Sequence, residues 1–162
     1  MDDTAMTTLE LAELFRRDIK RLGQQIAAFP DDEKLWQTEG GAANSAGNLA
    51  LHLEGNSRDF IGRQLGNVAY VRVRDKEFSS KNLTRDELLG RLAELEELIP
   101  RVIASLTAGE LAKEYPMVVL GKPLTTGMFL LHLSGHFNYH LGQIDILRRV
   151  LTGQTALPLA GL

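Results

Sequence analysis

The chain has 162 residues, 44% of them hydrophobic and 24% charged, with a formal net charge of −3. This balance suits one folded domain over residues 1–162 and excludes a disordered or collagenous chain. With 18 Lys and Arg against 21 Asp and Glu there is no basic excess to hold nucleic acid, and the lack of cysteine excludes disulfides, thiolate metal sites and a cysteine nucleophile.

The opening MDDTAMTTLELAELFRRDIK has neither the basic start nor the apolar run of a secretion signal. No stretch reaches the ~18 apolar residues of a membrane span, so a cytoplasmic protein without membrane or nucleic-acid partners is expected. Leu11, Leu14, Phe15, Ile19, Leu22 and Ile26 recur at spacings of three and four, predicting a helix from Thr7 to Phe29 that stops at Pro30. A connection holding Trp36, Gly40 and Gly41 leads to Asn44-Ser45, either of which can cap a second helix over Ala46–Leu65. AYVRVRDKEF then alternates briefly like a strand, but an isolated ribbon is unstable and an extended loop is expected.

Thr84 followed by Glu87 is a capping-box signature for a third helix, continued by Leu88, Leu92, Leu95 and Ile99. Pro100 should bend or divide it. The stretch Gly109–Pro123 is a connection with one short helical turn, and Thr125 or Thr126 starts a fourth helix that reaches Leu151 before Gly153. The apolar tail QTALPLAGL suits packing on the body or on a second subunit. Four amphipathic helices without a sheet predict an all-α four-helix bundle, its long first and third connections leaving room for a crossover.

Every histidine falls on two of these helices: His52 on the second, and His132, His136 and His140 on the fourth. At about 100° per residue, His136 and His140 lie within about 20° of Phe129 and Leu147, in the middle of the apolar stripe. Asn138, Asp145 and Arg149 take the opposite, solvent side, and His132 sits at the stripe's edge beside Gln143. On the second helix His52 lies about 60° from the centre of the Leu49–Leu53–Phe60 stripe, with Asn48 and Asn56 one turn before and after it. Buried imidazoles need partners, and several converging from two helices compete for few. A divalent cation satisfies them together, because neutral imidazole is a favoured nitrogen ligand. A metal-free polar network, or a stacked histidine cluster, satisfies the same pattern.

The stretch HLSGHFNYHLGQIDILRR, with His136 and His140 four apart and then Gly142-Gln143, resembles the last-helix signature of the DinB/YfiT-like superfamily. NSAGNLALHLEGNSRDFI resembles that superfamily's second helix with its single histidine, and VRVRDKEF is similar to an uncharacterised branch. The resemblance implies up-down-down-up connectivity and a metal held by His52, His136 and His140, with His132 outside the ligand set. It also implies chemistry on a small-molecule substrate with a low-molecular-weight thiol, the activity of characterised relatives.

Three neutral ligands leave open positions and the ion's full Lewis acidity, with zinc or nickel expected first and iron, manganese or copper compatible. Gln143, Asn48, Asn56 and Asp59 are the candidates for holding the ligands or lining the pocket; an ion pair of Asp59 with Arg58 or Arg63 is equally compatible. Glu54 reads as a solvated residue, and Arg58, Arg63, Arg72 and Arg74 as solvated surface or as a substrate-carboxylate site. Trp36 and Tyr139 read as packing or as pocket walls. With no acid in the position of a metalloprotease base, thiol transfer is favoured over hydrolysis. The alternatives are a metal- or ligand-binding protein without turnover and a metal-free interaction bundle, and a homodimer is expected.

Overall fold

The computed structural model describes residues 3–158, with side chains from Thr8 onward. Among the described residues seven α-helices follow one another: α1 (Asp3–Ala27), α2 (Asp32–Leu35), α3 (Ala46–Ser57), α4 (Arg74–Ser79), α5 (Arg85–Ala104), α6 (Ala108–Ala112) and α7 (Thr126–Thr152). A π-helical segment, Arg58–Arg63, continues α3 without a break. Among the described residues there is no strand, only two isolated β-bridges, Glu114 with Thr125 and Val119 with Lys122.

The caps explain where the long helices start. Ser45 accepts from the Asn48 N–H, Thr125 from the Met128 N–H, and Thr84 forms a complete capping box with Glu87. Each such cap is worth about 1 kcal/mol of otherwise orphaned backbone hydrogen bonding. Gly153 closes α7 in the left-handed conformation at φ 70°. Pro100 neither ends nor divides α5, which runs on to Ala104. VRVRDKEF is only partly the expected loop, because its last five residues belong to α4.

The apolar stripes of α1 and α5 face each other and make the most extensive helix pair. Phe15, Ile19, Leu22 and Ile26 are buried there with Leu88, Leu92, Leu95 and Ile99. α3 and its π-helical extension pack on α5, and α7 packs on both α1 and α3. The long helices thus form a ring in the order α1, α5, α3, α7, with consecutive α1 and α3 far less in contact. Long connections serve that diagonal step. At the C-terminus Gln154 and Thr155 lie on the body, receiving hydrogen bonds from the fully buried Arg148 at 2.9 and 3.1 Å. The last four residues of the apolar tail lie outside the described residues.

Candidate metal centre

The seam between α3 and α7 carries the histidines. His52 is buried on α3, and His136 and His140 are half-buried on α7, with ligand-capable atoms of all three within 4.8 Å of one another. Nε2 of His52 stands 3.2 Å from Nε2 of His136. The three rings meet edge to face, with centroids 4.6 to 5.2 Å apart.

The outer nitrogens of two of the rings fix their tautomers. His52 Nδ1 lies 2.9 Å from Glu77 Oε2, and His140 Nδ1 lies 2.6 Å from Gln143 Oε1. Both partners accept, so each Nδ1 carries the proton and each Nε2 turns a lone pair toward the cluster. His136 Nδ1 is buried without a partner among the described residues. Burial, followed by the neighbouring His140, His52, His132 and Arg72 charges, pushes the His136 pKa down to about 4. Burial and His52 lower that of His140, outweighing its hydrogen bond to Gln143. Both rings are therefore neutral near pH 7.

These donors fit a divalent ion. Nitrogens bound to zinc at about 2.0–2.1 Å stand about 3.3–3.4 Å apart in a tetrahedron, close to the 3.2 Å between His52 and His136. The same contact also permits His136 Nε2–H to donate directly to His52.

Glu77 escaped the sequence analysis. It is buried on α4, and both of its oxygens are taken: Arg72 Nε donates to Oε1 at 2.6 Å and Arg72 Nη2 to Oε2 at 2.9 Å, beside the His52 bond. Burial by itself would raise its pKa, yet the hydrogen bonds from Arg72 and His52 hold it below 4.5. Arg72 is thus neither solvated nor free for a substrate carboxylate. Gly55, nearly one turn after His52, makes room for this carboxylate, since a Cβ there would overlap Glu77 Oε1. A small residue beside a candidate ligand was the one available sequence signal for a buried partner.

The other candidate residues separate. Asn48 donates to the carbonyls of Glu77 and Ser80 at 2.9 and 2.8 Å, so it ties α4 to α3 rather than touching the histidines. Asn56 borders a cavity of about 430 Å³ together with His52, His136, Arg72 and Arg74. Asp59 pairs with Arg63 at 2.6 Å. His132 is exposed and stacked on Phe129, outside the cluster. Glu54 is not solvated: it is 1% exposed and clamped by Arg58 and Arg91 at 2.8 and 2.7 Å. Trp36 is buried packing, its Nε1 donating to the Leu83 carbonyl, whereas Tyr139 is exposed at the second cavity, beside His140.

The α7 stripe is centred elsewhere than the sequence placed it. Thr126, Leu130, Leu133, Phe137, Leu141, Ile144 and Arg148 are buried along with Phe129 and Leu147, which moves its middle about 60° from Phe129. His136 and His140 therefore lie on the flank facing α3, where rings reach both the cluster and open space.

Residues 3–159 match the family described as "Protein of unknown function (DUF1572)". The fold is similar to the crystal structure of a DinB-like protein from Bacillus cereus ATCC 10987, with a TM-score of 0.69 and 16% identity over 94% of this chain and 95% of that one. No curated protein sequence matches. The chain belongs to the DUF1572 family, and its all-α fold is DinB-like.

Proposed function

We propose that this protein is a divalent-metal-dependent enzyme in which His52, His136 and His140 hold the ion through Nε2, and that it transfers a low-molecular-weight thiol. The observation that carries this reading is the convergence of three imidazoles from two helices, two of them aimed by acceptors at Nδ1. Zinc or nickel is the expected ion, and iron or manganese suits the same donors. When bound, such an ion supplies Lewis acidity that lowers the pKa of a water or thiol beside it.

The protein's own groups favour transfer over hydrolysis. Glu77 is held by Arg72 and His52 on both oxygens, so it orients His52 and is not free to deprotonate a water. Arg72 balances its charge, which keeps the cluster from gaining a fourth, anionic ligand.

The test is elemental analysis of protein purified without added metal, followed by consumption of glutathione, bacillithiol or mycothiol in the presence of reactive electrophiles. About one equivalent of metal is expected, lost in His52→Ala, His136→Ala and His140→Ala but retained in His132→Ala. Background metal in the native protein refutes the site. Bound metal without thiol turnover refutes the transferase reading and leaves a binding protein.

A further inference from the structure

We infer that the cavity beside His140 receives the apolar body of the substrate, so that the substrate is a neutral amphiphile whose polar end meets the histidines. The role of that polar end rests on the metal reading above; the apolar compartment does not. The cavity holds about 710 Å³, within the range of about 300–1,000 Å³ usual for small-molecule sites. It lies between the C-terminal half of α7 and the connection from Glu39 to Asn44.

The order of side chains along α7 sets the orientation of a ligand. His140 and Gln143 are followed at helical spacing by Ile146, Leu147 and Val150, one strip that changes from polar to apolar over about 15 Å. Leu49 and Leu147 are buried in its floor, while Ile146 and Val150 remain 54% and 62% exposed. Among the described residues no Lys or Arg lines this cavity and the one charged residue is Glu39, so an anionic body is disfavoured. The smaller cavity on the other flank, which His52 and His136 border, differs in carrying Arg72 and Arg74 among its apolar side chains. A concave apolar volume that ends at a histidine suits a small molecule better than a flat protein partner.

Two measurements test this. On zinc-loaded protein, calorimetry with n-alkyl hydroxamates from two to eight carbons should show affinity rising about fourfold per methylene until the cavity is filled. Ile146→Glu and Val150→Glu, both at exposed positions, should abolish that slope. On chelator-treated protein, the fluorescent apolar dye anilinonaphthalene sulfonamide should bind in the native chain and lose at least tenfold affinity in either variant. A flat series with acetohydroxamate still binding overturns the apolar compartment and leaves the metal site standing. Absence of metal uptake with variant-sensitive dye binding supports the compartment and removes the metal reading. A native dimer that either variant dissociates overturns the proposal by making this face a subunit interface.

Discussion

Glu77→Gln is the most informative single change, because the two side chains share a shape and differ in charge. In the native protein the carboxylate takes two hydrogen bonds from Arg72 and one from His52, at 2.6 to 2.9 Å. The glutamine retains one acceptor oxygen and places an N–H donor against a guanidinium or an imidazole N–H. Breaking a buried ion pair from one side costs about 3–5 kcal/mol. The Arg72 side chain is 12% exposed and borders a cavity, so it can partly rehydrate, and a loss of about 2–3 kcal/mol is expected. The lost charge also loosens His52, which should weaken zinc binding about 10–100-fold. Urea denaturation of chelator-treated protein reads the first effect, and competition against a chromogenic chelator reads the second. The folded pKa of Glu77 is lowered, so its contribution is present above pH 4.5 and is lost as pH falls through the native value. The stability gap between native and variant should close over that window. A variant with unchanged stability and unchanged zinc affinity would refute the role given to this carboxylate.

Other substitutions probe the same network from outside. Gly55→Ala inserts a methyl group where the Glu77 carboxylate sits, and should cost about 1–3 kcal/mol and lower zinc affinity; calorimetric zinc binding at native strength would contradict this. Arg148 is fully buried and bonded to Gln25, Asp145 and Gln154, so Arg148→Ala should lose about 3–5 kcal/mol in urea unfolding while metal stoichiometry in the folded protein is retained. For His136, depressed from 6.5 to about 4, the unfolded chain takes up the proton first. Its stability contribution is therefore complete above pH 6.5 and falls as pH drops toward 4. Solvent screening of a half-buried ring reduces the expected loss in chelator-treated protein to about 1–2 kcal/mol. In His136→Gln this part of the pH slope should disappear, and an unchanged slope would contradict the assignment.

What was legible in the sequence was local. Helix starts followed from Ser45, Thr84 and Thr125 because a cap bonds within three residues of itself. The histidines stood out because spacing on one helix is a local property too. The positions misread or passed over are those whose partners lie far along the chain. Glu54 looks solvated until Arg91, from α5, reaches it, and Arg148 is buried because Gln25 and the C-terminal segment satisfy it. Leu130, Phe137 and Leu141, buried with Arg148 on one side of Phe129, centre the α7 stripe away from the histidines, which lie on its flank. Glu77 sits on a six-residue helix with too few turns to display periodicity, and its attachment to α3 runs through Asn48, a contact spanning 29 residues.

The fold separates two tasks that compete within one core. Along α5 the buried side chains are apolar, and along α1 they are apolar except Thr8, Asp18 and Gln25, so this pair supplies stabilisation roughly in proportion to the area removed from water. α3 and its extension differ: Asn48, His52, Glu54, Ser57 and Asp59 are all buried within twelve residues. Burying such groups costs free energy unless each is hydrogen-bonded. The partners of the charged and amide groups come from α4, α5 and α7 or from one turn further along the same helix. Each neighbouring element thus constrains α3 by a directional bond, which apolar contacts do not provide. The consequence is a histidine cluster held from several sides on a helix that contributes little apolar burial beyond its leucines. Truncating a leucine of α1 or α5 should therefore lower stability across the whole molecule, whereas removing a polar group from α3 acts first on the orientation of His52.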